Sequence, residues 1–244
     1  MPDPRPYVSL RQAARGLCFL AVFLLACIAI LAPAAVHAQP PHHPINLSLF
    51  YPASTNLNPT VSTNFRLNIL YGRVGSVRGV DLNGLVARTD GDERALQVTG
   101  LTSYVGGELR GAAVTGLLSY VGSHARGVQV SGLVNFDRGR FSGVQYAGLF
   151  NYVDGPFRGI QLTSVYNLNN SDSRWVQVAS IVNASGGSFT GLQLTGGVNF
   201  TNDHMHGLQV GLAGFADTFH GAQVGVANFA REGRGAMIGA LNFA

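Results

Sequence analysis

From Gly79 onward, apolar and polar residues alternate in short runs, and the runs repeat. In GVQVSGLVNF, which begins at Gly127, Val128, Val130, Val134 and Phe136 are apolar while Gln129 and Asn135 are polar. A period of two predicts β-strands with two unlike faces. Aligned copies begin at Gly79, Ala95, Gly111, Gly127, Gly143, Gly159, Trp175, Gly191 and Gly207, each 16 residues after the last. Two shorter copies open at Gly221 and Gly235, each 14 residues on. Turn formers such as Gly106-Gly107, Asp154-Gly155, Asn170-Ser171 and Gly186-Gly187 separate the units. Before Gly79 the match decays into Ile45–Phe50 and Asn64–Leu70. Residues 39–78 therefore read as a tail and irregular β cap, and residues 79–244 as the repeat domain.

Two all-β architectures can use such a unit. In a β-solenoid each unit is one coil of two short strands and two corners; in an up-and-down outer-membrane barrel, of about 12 strands here, each unit is one strand and a hairpin turn. Three features favour the solenoid. A small residue recurs mid-unit, at Gly84, Gly100, Gly116, Gly132, Gly148, Ser164, Ser180 and Gly196, where a corner needs one. The short units lose one residue at this point and one in the other turn, whereas a single deletion inside a continuous strand would exchange its two faces. Gln97, Gln129, Gln145, Gln161, Gln177, Gln193, Gln209 and Gln223 fall in one register, as do Asn135, Asn151, Asn167, Asn183 and Asn199. Stacked coils would turn each set into an amide ladder. Two features favour the barrel: aromatics at the unit end (Tyr104, Tyr120, Phe136, Tyr152, Phe200) could form an interfacial girdle, and closure would remove the edge left at Asn242-Phe243-Ala244. Packing inside a coil is the other account of the aromatics. The solenoid is the expectation and the barrel the alternative.

The first residues have a different character. Arg5, Arg11 and Arg15 precede an apolar run from Leu17 to Ala32, Pro33 breaks it, and Val36-His37-Ala38 offers small residues at a cleavage site. This is the pattern of a secretory signal peptide spanning residues 1–38, with an uncleaved anchor as the alternative. Both cysteines, Cys18 and Cys27, lie within it, so the exported part has no thiol chemistry. Three of the 16 basic residues and one of the 12 acids also fall there, leaving 13 arginines against 11 acids. That balance argues against nucleic acid as a partner.

The repeats resemble a family of bacterial exported surface-repeat proteins whose units read G-[VLI]-Q-[VLI]-x-G-L-V-N, and the entry segments LSLFYP and NFRLNILYG resemble the family's lead-in. The resemblance covers Ile45 to Ala244. It implies export from a Gram-negative bacterium, to the outer membrane or cell surface or else the periplasm, and assigns no catalytic residue. Asp81 and Ala113 replace the Gln, and Ser103 and Ser119 the Asn, which weakens both ladders in the first units.

No convergent nucleophile, base and orienting group is legible, and no cofactor motif is present. The acids Glu108, Asp137, Asp154, Asp172, Asp203, Asp217 and Glu232 are scattered through turns. Asp90-Gly91-Asp92-Glu93 lacks the spacing of a calcium loop and reads as a solvated turn. His204-Met205-His206 puts two imidazoles on one strand face without a third ligand. The feature that points to a partner is a register of arginines just ahead of the unit start: Arg78, Arg94, Arg110, Arg126, Arg158 and Arg174, with Ser142 filling the gap. Coiled as a solenoid they would form one anion-binding stripe, for an anionic surface glycan, a lipid head group or another surface protein, with Glu108, Asp137 and Asp172 available to interleave. An ordinary solvated turn is the plainer reading. The expected function is an exported, non-catalytic surface or structural repeat protein that serves as an interaction scaffold. The alternative is an outer-membrane barrel or small pore. A polysaccharide-acting enzyme would need a paired-carboxylate motif, which is not legible.

Overall fold

The computed structural model describes residues 41–244; the leader, its cleavage point after Ala38, and Cys18 and Cys27 lie outside the described residues. The chain opens with β1 (Ile45–Phe50) and the two-residue β2 (Ala53–Ser54), which fold back on each other as the one antiparallel pair among the described strands. β3 (Ser62–Val74) follows and pairs in parallel with β1. From β4 (Ser76–Asn83) and β5 (Val86–Thr89) onward a long strand and a four-residue strand alternate. The pattern is regular from β6 (Glu93–Thr99) and β7 (Thr102–Val105) to β17 (Val182–Ser185) and β18 (Phe189–Thr195). The C-terminal strands β19 (Val198–Val210), β20 (Ala213–Val224) and β21 (Ala227–Ile238) are longer, and β22 (Leu241–Phe243) ends the chain.

Each strand pairs in parallel with its counterpart one coil later. Gln129 faces Gln145, Gln145 faces Gln161, and Asn135 faces Asn151. The result is a β-solenoid of about 12 turns with two strands per coil. This excludes the barrel, whose neighbouring strands run antiparallel and are joined by hairpins. The small mid-unit residues sit at the corner between the two strands. A Cβ on Gly100 would lie 1.8 Å from the Gly84 carbonyl oxygen, so close stacking of these two coils leaves no room for a side chain at Gly100, while Ser164 and Ser180 fill the same corner further on. The glycine that opens the unit has a second reason: Gly127, Gly143 and Gly159 hold φ at 128°, 138° and 143°, where a side chain is strained.

The 14-residue coils are shortened at the two places the sequence indicates. Leu194 pairs with Val210 at a spacing of 16, Val198 with Ala213 at 15, and His204 with Thr218 at 14. One residue is lost at the corner and one between Thr201 and His204, where the register shifts. The second turn thereby disappears and the strand runs straight through it.

The core is divided. One part of each coil holds an apolar file that includes Leu109, Ala125, Phe141 and Phe157, packed with Val105, Val121 and Val153. The other part holds amides. Gln223 donates to Gln209, Gln209 to Gln193, and so on through Gln177, Gln161 and Gln145 to Gln129, at 2.7–3.0 Å. Asn135 donates to Asn151, Asn151 to Asn167, Asn167 to Asn183 and Asn183 to Asn199, at 2.9–3.0 Å. The second amide hydrogen of Asn151 reaches the Leu162 carbonyl at 2.7 Å, and that of Asn167 the Val178 carbonyl at 2.8 Å. Buried amides are tolerated because these bonds replace the water they lost.

The ladder breaks at Ala113, and the serines that replace asparagine compensate. Gln129 donates to Ser119 at 2.9 Å, and Ser103 donates to Gln97 at 2.6 Å. The unit-end aromatics form neither a girdle nor an interior file. Tyr104, Tyr120, Phe136 and Tyr152 lie half-buried on the outside and stack with centroids 5.0, 5.5 and 4.6 Å apart.

Candidate interaction face

With amides facing inward, the residues between them face outward, and they are apolar. One column runs from Ile45 and Phe65 through Val80, Leu96, Val128 and Ile160 to Ala236 without a polar residue. A second begins at Leu47 and Leu67 and passes through Val98, Val114, Val130 and Tyr146 to Ile238, with the Tyr146 hydroxyl as its one polar group. The corner adds Leu85, Leu101, Leu117, Leu133, Leu149 and Ile181, each 37–47% exposed. Each side chain is covered by its neighbours one coil above and below but open to the outside.

The arginine register lies directly beside these columns. Arg78 pairs with Arg94, Arg94 with Arg110, Arg110 with Arg126, and Arg126 with Ser142; Ser142 then pairs with Arg158 and Arg158 with Arg174. All six arginines are exposed, two residues ahead of the first apolar column on the same outward side of the strand. The register continues past the sequence-level stripe through Thr190, His206 and His220 to Arg234. The rings of His206 and His220 stack in parallel with centroids 5.0 Å apart. The switch from arginine to histidine, and the change of spacing to 14, hid these members.

Of the acids available to interleave, Glu108 does so, meeting Arg110 at 2.8 Å. Asp92 lies 3.4 Å from Arg94. Asp172 does not interleave: it accepts the Ser188 amide of the next turn at 2.9 Å. Asp137 does not either, because it is fully buried beneath the surface. Among the described residues Arg78, Arg126, Arg158 and Arg174 form no ion pair.

Trp175 was not singled out by the sequence beyond its place in the repeat. It stands where the aligned copies carry glycine or Ala95, between Arg174 and the outward Val176. It holds φ at 99° and leaves its side chain 61% exposed. A bulky residue in this region is strained by about 1–2 kcal/mol. Glycine at the same position would carry no such strain.

The charged interior lies at the N-terminal end. Arg66 donates to both carboxylate oxygens of Asp81, and also to the Arg88 carbonyl at 3.0 Å and to Thr89 at 3.2 Å. Asn83 and Gln97 donate to the same carboxylate at 2.8 and 3.0 Å. Asp81 thus takes the glutamine's place in the ladder, and Arg66 neutralises it. Burial opposes the charge on Arg66, but Asp81 outweighs this and raises its pKa. Glu93 lies in the same interior and accepts from Thr89 at 2.6 Å; burial, then the charge of Asp81, push it up to about 8. The acidic turn is therefore only partly solvated. Asp90 faces Arg73 and Arg88 at 2.8 and 2.6 Å, Asp92 faces outward, and Glu93 points in. Asp137 replaces the valine of neighbouring coils. Burial holds its pKa well above the usual carboxylate range, against the pull of Gln129 and Gln145.

His204 bonds to Thr218 while His206 stacks on His220, so the two imidazoles of His204-Met205-His206 are engaged separately. Among the described residues no three metal-ligating side chains converge. No protein-family model, curated protein or solved structure matches this chain. The fold defines a β-solenoid repeat protein.

Proposed function

We propose that the chain is an exported, non-catalytic repeat scaffold whose outer face is its working surface. The observation that carries this is the pair of unbroken apolar columns running from β1 to β21 beside a file of cationic residues. A repeat that only had to build a core could vary its outward positions freely. These positions hold one chemistry over the whole solenoid, while the interior directly behind them carries the amides. The signal-peptide pattern of residues 1–38 and the resemblance to exported surface-repeat proteins support the compartment. Surface presentation on a Gram-negative cell follows from the two together.

The test is expression of the full chain in a Gram-negative host, with fractionation and mass measurement of the product. Processing after Ala38 and recovery from the outer membrane or cell surface are expected. A full-length chain retained in the cytoplasm overturns the proposal.

A further inference from the structure

The outer face combines three properties. Its length follows from the coil spacing: the columns extend roughly 55–60 Å at ~4.8 Å per coil. From Val128 round the corner to Val134 the chain covers roughly 20 Å at ~3.3 Å per residue. The apolar face is therefore on the order of 1,000 Å², against the few hundred Å² usual on a soluble monomer. Along one border runs the cationic file, of which Arg126, Arg158 and Arg174 have no acidic partner among the described residues. Between the two sits Trp175, exposed and held in a strained backbone conformation.

We infer that this face docks on the surface of an anionic lipid bilayer. The aliphatic corner, centred on Leu117, Leu133 and Leu149, enters the boundary between head groups and acyl chains. Arg126, Arg158 and Arg174 meet the phosphates, and Trp175 lies at the level between them. An apolar surface with a cationic margin and an indole at the junction is what an interfacial protein needs. Charge complementarity selects this occupant over a second copy, which presents the same cationic file and so little acid to meet it. The apolar width selects it over a soluble polyanion, which has no use for a hydrocarbon face. The inference rests on the scaffold reading and names its partner.

Trp175 is the chain's only tryptophan, so its fluorescence reports this face alone and is silent about the leader. The chain recovered from expressing cells is titrated with vesicles of one-third phosphatidylglycerol in phosphatidylcholine, and with phosphatidylcholine alone. The expected result is a blue shift with the anionic vesicles, quenched by brominated acyl chains and weakened by salt. Leu117→Asn, Leu133→Asn and Leu149→Asn together, checked by circular dichroism for an intact fold, should lower the apparent affinity at least ten-fold. Arg126→Gln, Arg158→Gln and Arg174→Gln should do so by a similar factor and abolish the preference for anionic lipid. No shift with either vesicle overturns the inference. So does self-association without lipid that the leucine variant abolishes, which would make a second copy the occupant. Binding to a soluble sulfated glycan that depends on the arginines but not the leucines also overturns it, and leaves the scaffold reading standing. Binding that neither variant changes overturns the inference and the outer face as the working surface, and leaves export to be decided by fractionation.

Discussion

Gln161 sits in the middle of the glutamine ladder. It donates to Gln145 at 2.8 Å and to Asn169 at 3.2 Å, and accepts from Gln177 at 3.0 Å and Asn169 at 3.1 Å. Gln161→Ala leaves the Gln145 oxygen, the Gln177 amide and the Asn169 oxygen buried with no partner, while the Asn169 amide keeps its bond to Ser173. Three stranded polar groups cost about 1–3 kcal/mol each. The missing side chain adds a cavity of about 1–2 kcal/mol, for a total of at least about 4 kcal/mol. Gln161→Met refills the space but not the bonds, so its loss should be at least about 3 kcal/mol. Guanidinium titration followed by circular dichroism measures the loss. Hydrogen exchange should place it in the coils between Gln145 and Gln193, since a solenoid's coils touch only their neighbours. A Gln161→Met protein within 1 kcal/mol of the parent would refute the reasoning. It would mean that the amides are filler, and that their hydrogen bonds add nothing the interior requires.

Trp175→Gly should raise stability by about 1–2 kcal/mol, seen as a higher melting temperature, because it removes the strain at φ 99°. Gly143→Ala should destabilise by more than 2 kcal/mol in the same assay, since its Cβ would meet the Gly127 carbonyl oxygen at 1.9 Å and φ is 138°. Met237→Gln should extend the ladder by one rung, giving the unpartnered Gln223 oxygen a donor and adding about 1 kcal/mol in denaturant titration. Burial raises the pKa of Glu93, to about 8, and of Asp137 in the folded state, whereas the unfolded chain ionises both near pH 4. Their contribution is therefore complete below about pH 4 and fades as pH rises through about 8 for Glu93. The double variant Glu93→Gln, Asp137→Asn should gain on the parent across that window, by a few kcal/mol at its upper end, and match it at pH 4. A constant difference between the two across pH counts against this assignment.

Much of the fold is legible in the repeat. Identity at every sixteenth residue is useful only where equivalent residues stack, and the paired deletions fall at corners. What the alternation could not convey is which side faces in. A lipid-facing barrel strand and a coil of this solenoid share one pattern, apolar outward and polar inward, so the aromatics and valines fitted both. The arginine register was legible because one residue type recurs at constant spacing. Its continuation through His206, His220 and Arg234 was not, because chemistry and spacing change together. Asp137 read as a turn acid because it precedes Arg138-Gly139; only the coil shows that its register belongs to Val121 and Val153. Trp175 could be seen as an odd member of the glycine register, but its positive φ belongs to the backbone.

The two amide ladders point in opposite directions. Every glutamine hands its hydrogen to the coil before it, and every asparagine to the coil after it. Side-chain dipoles aligned head to tail along an axis add up, as peptide dipoles do in a helix. Here one file opposes the other, so the field along the axis largely cancels whatever the number of coils. The free acceptors fall where the polarity requires, on Gln223 at one end of its file and on Asn135 at the opposite end of the other. Lengthening the solenoid by a whole coil would add one rung to each file and leave its electrostatics unchanged.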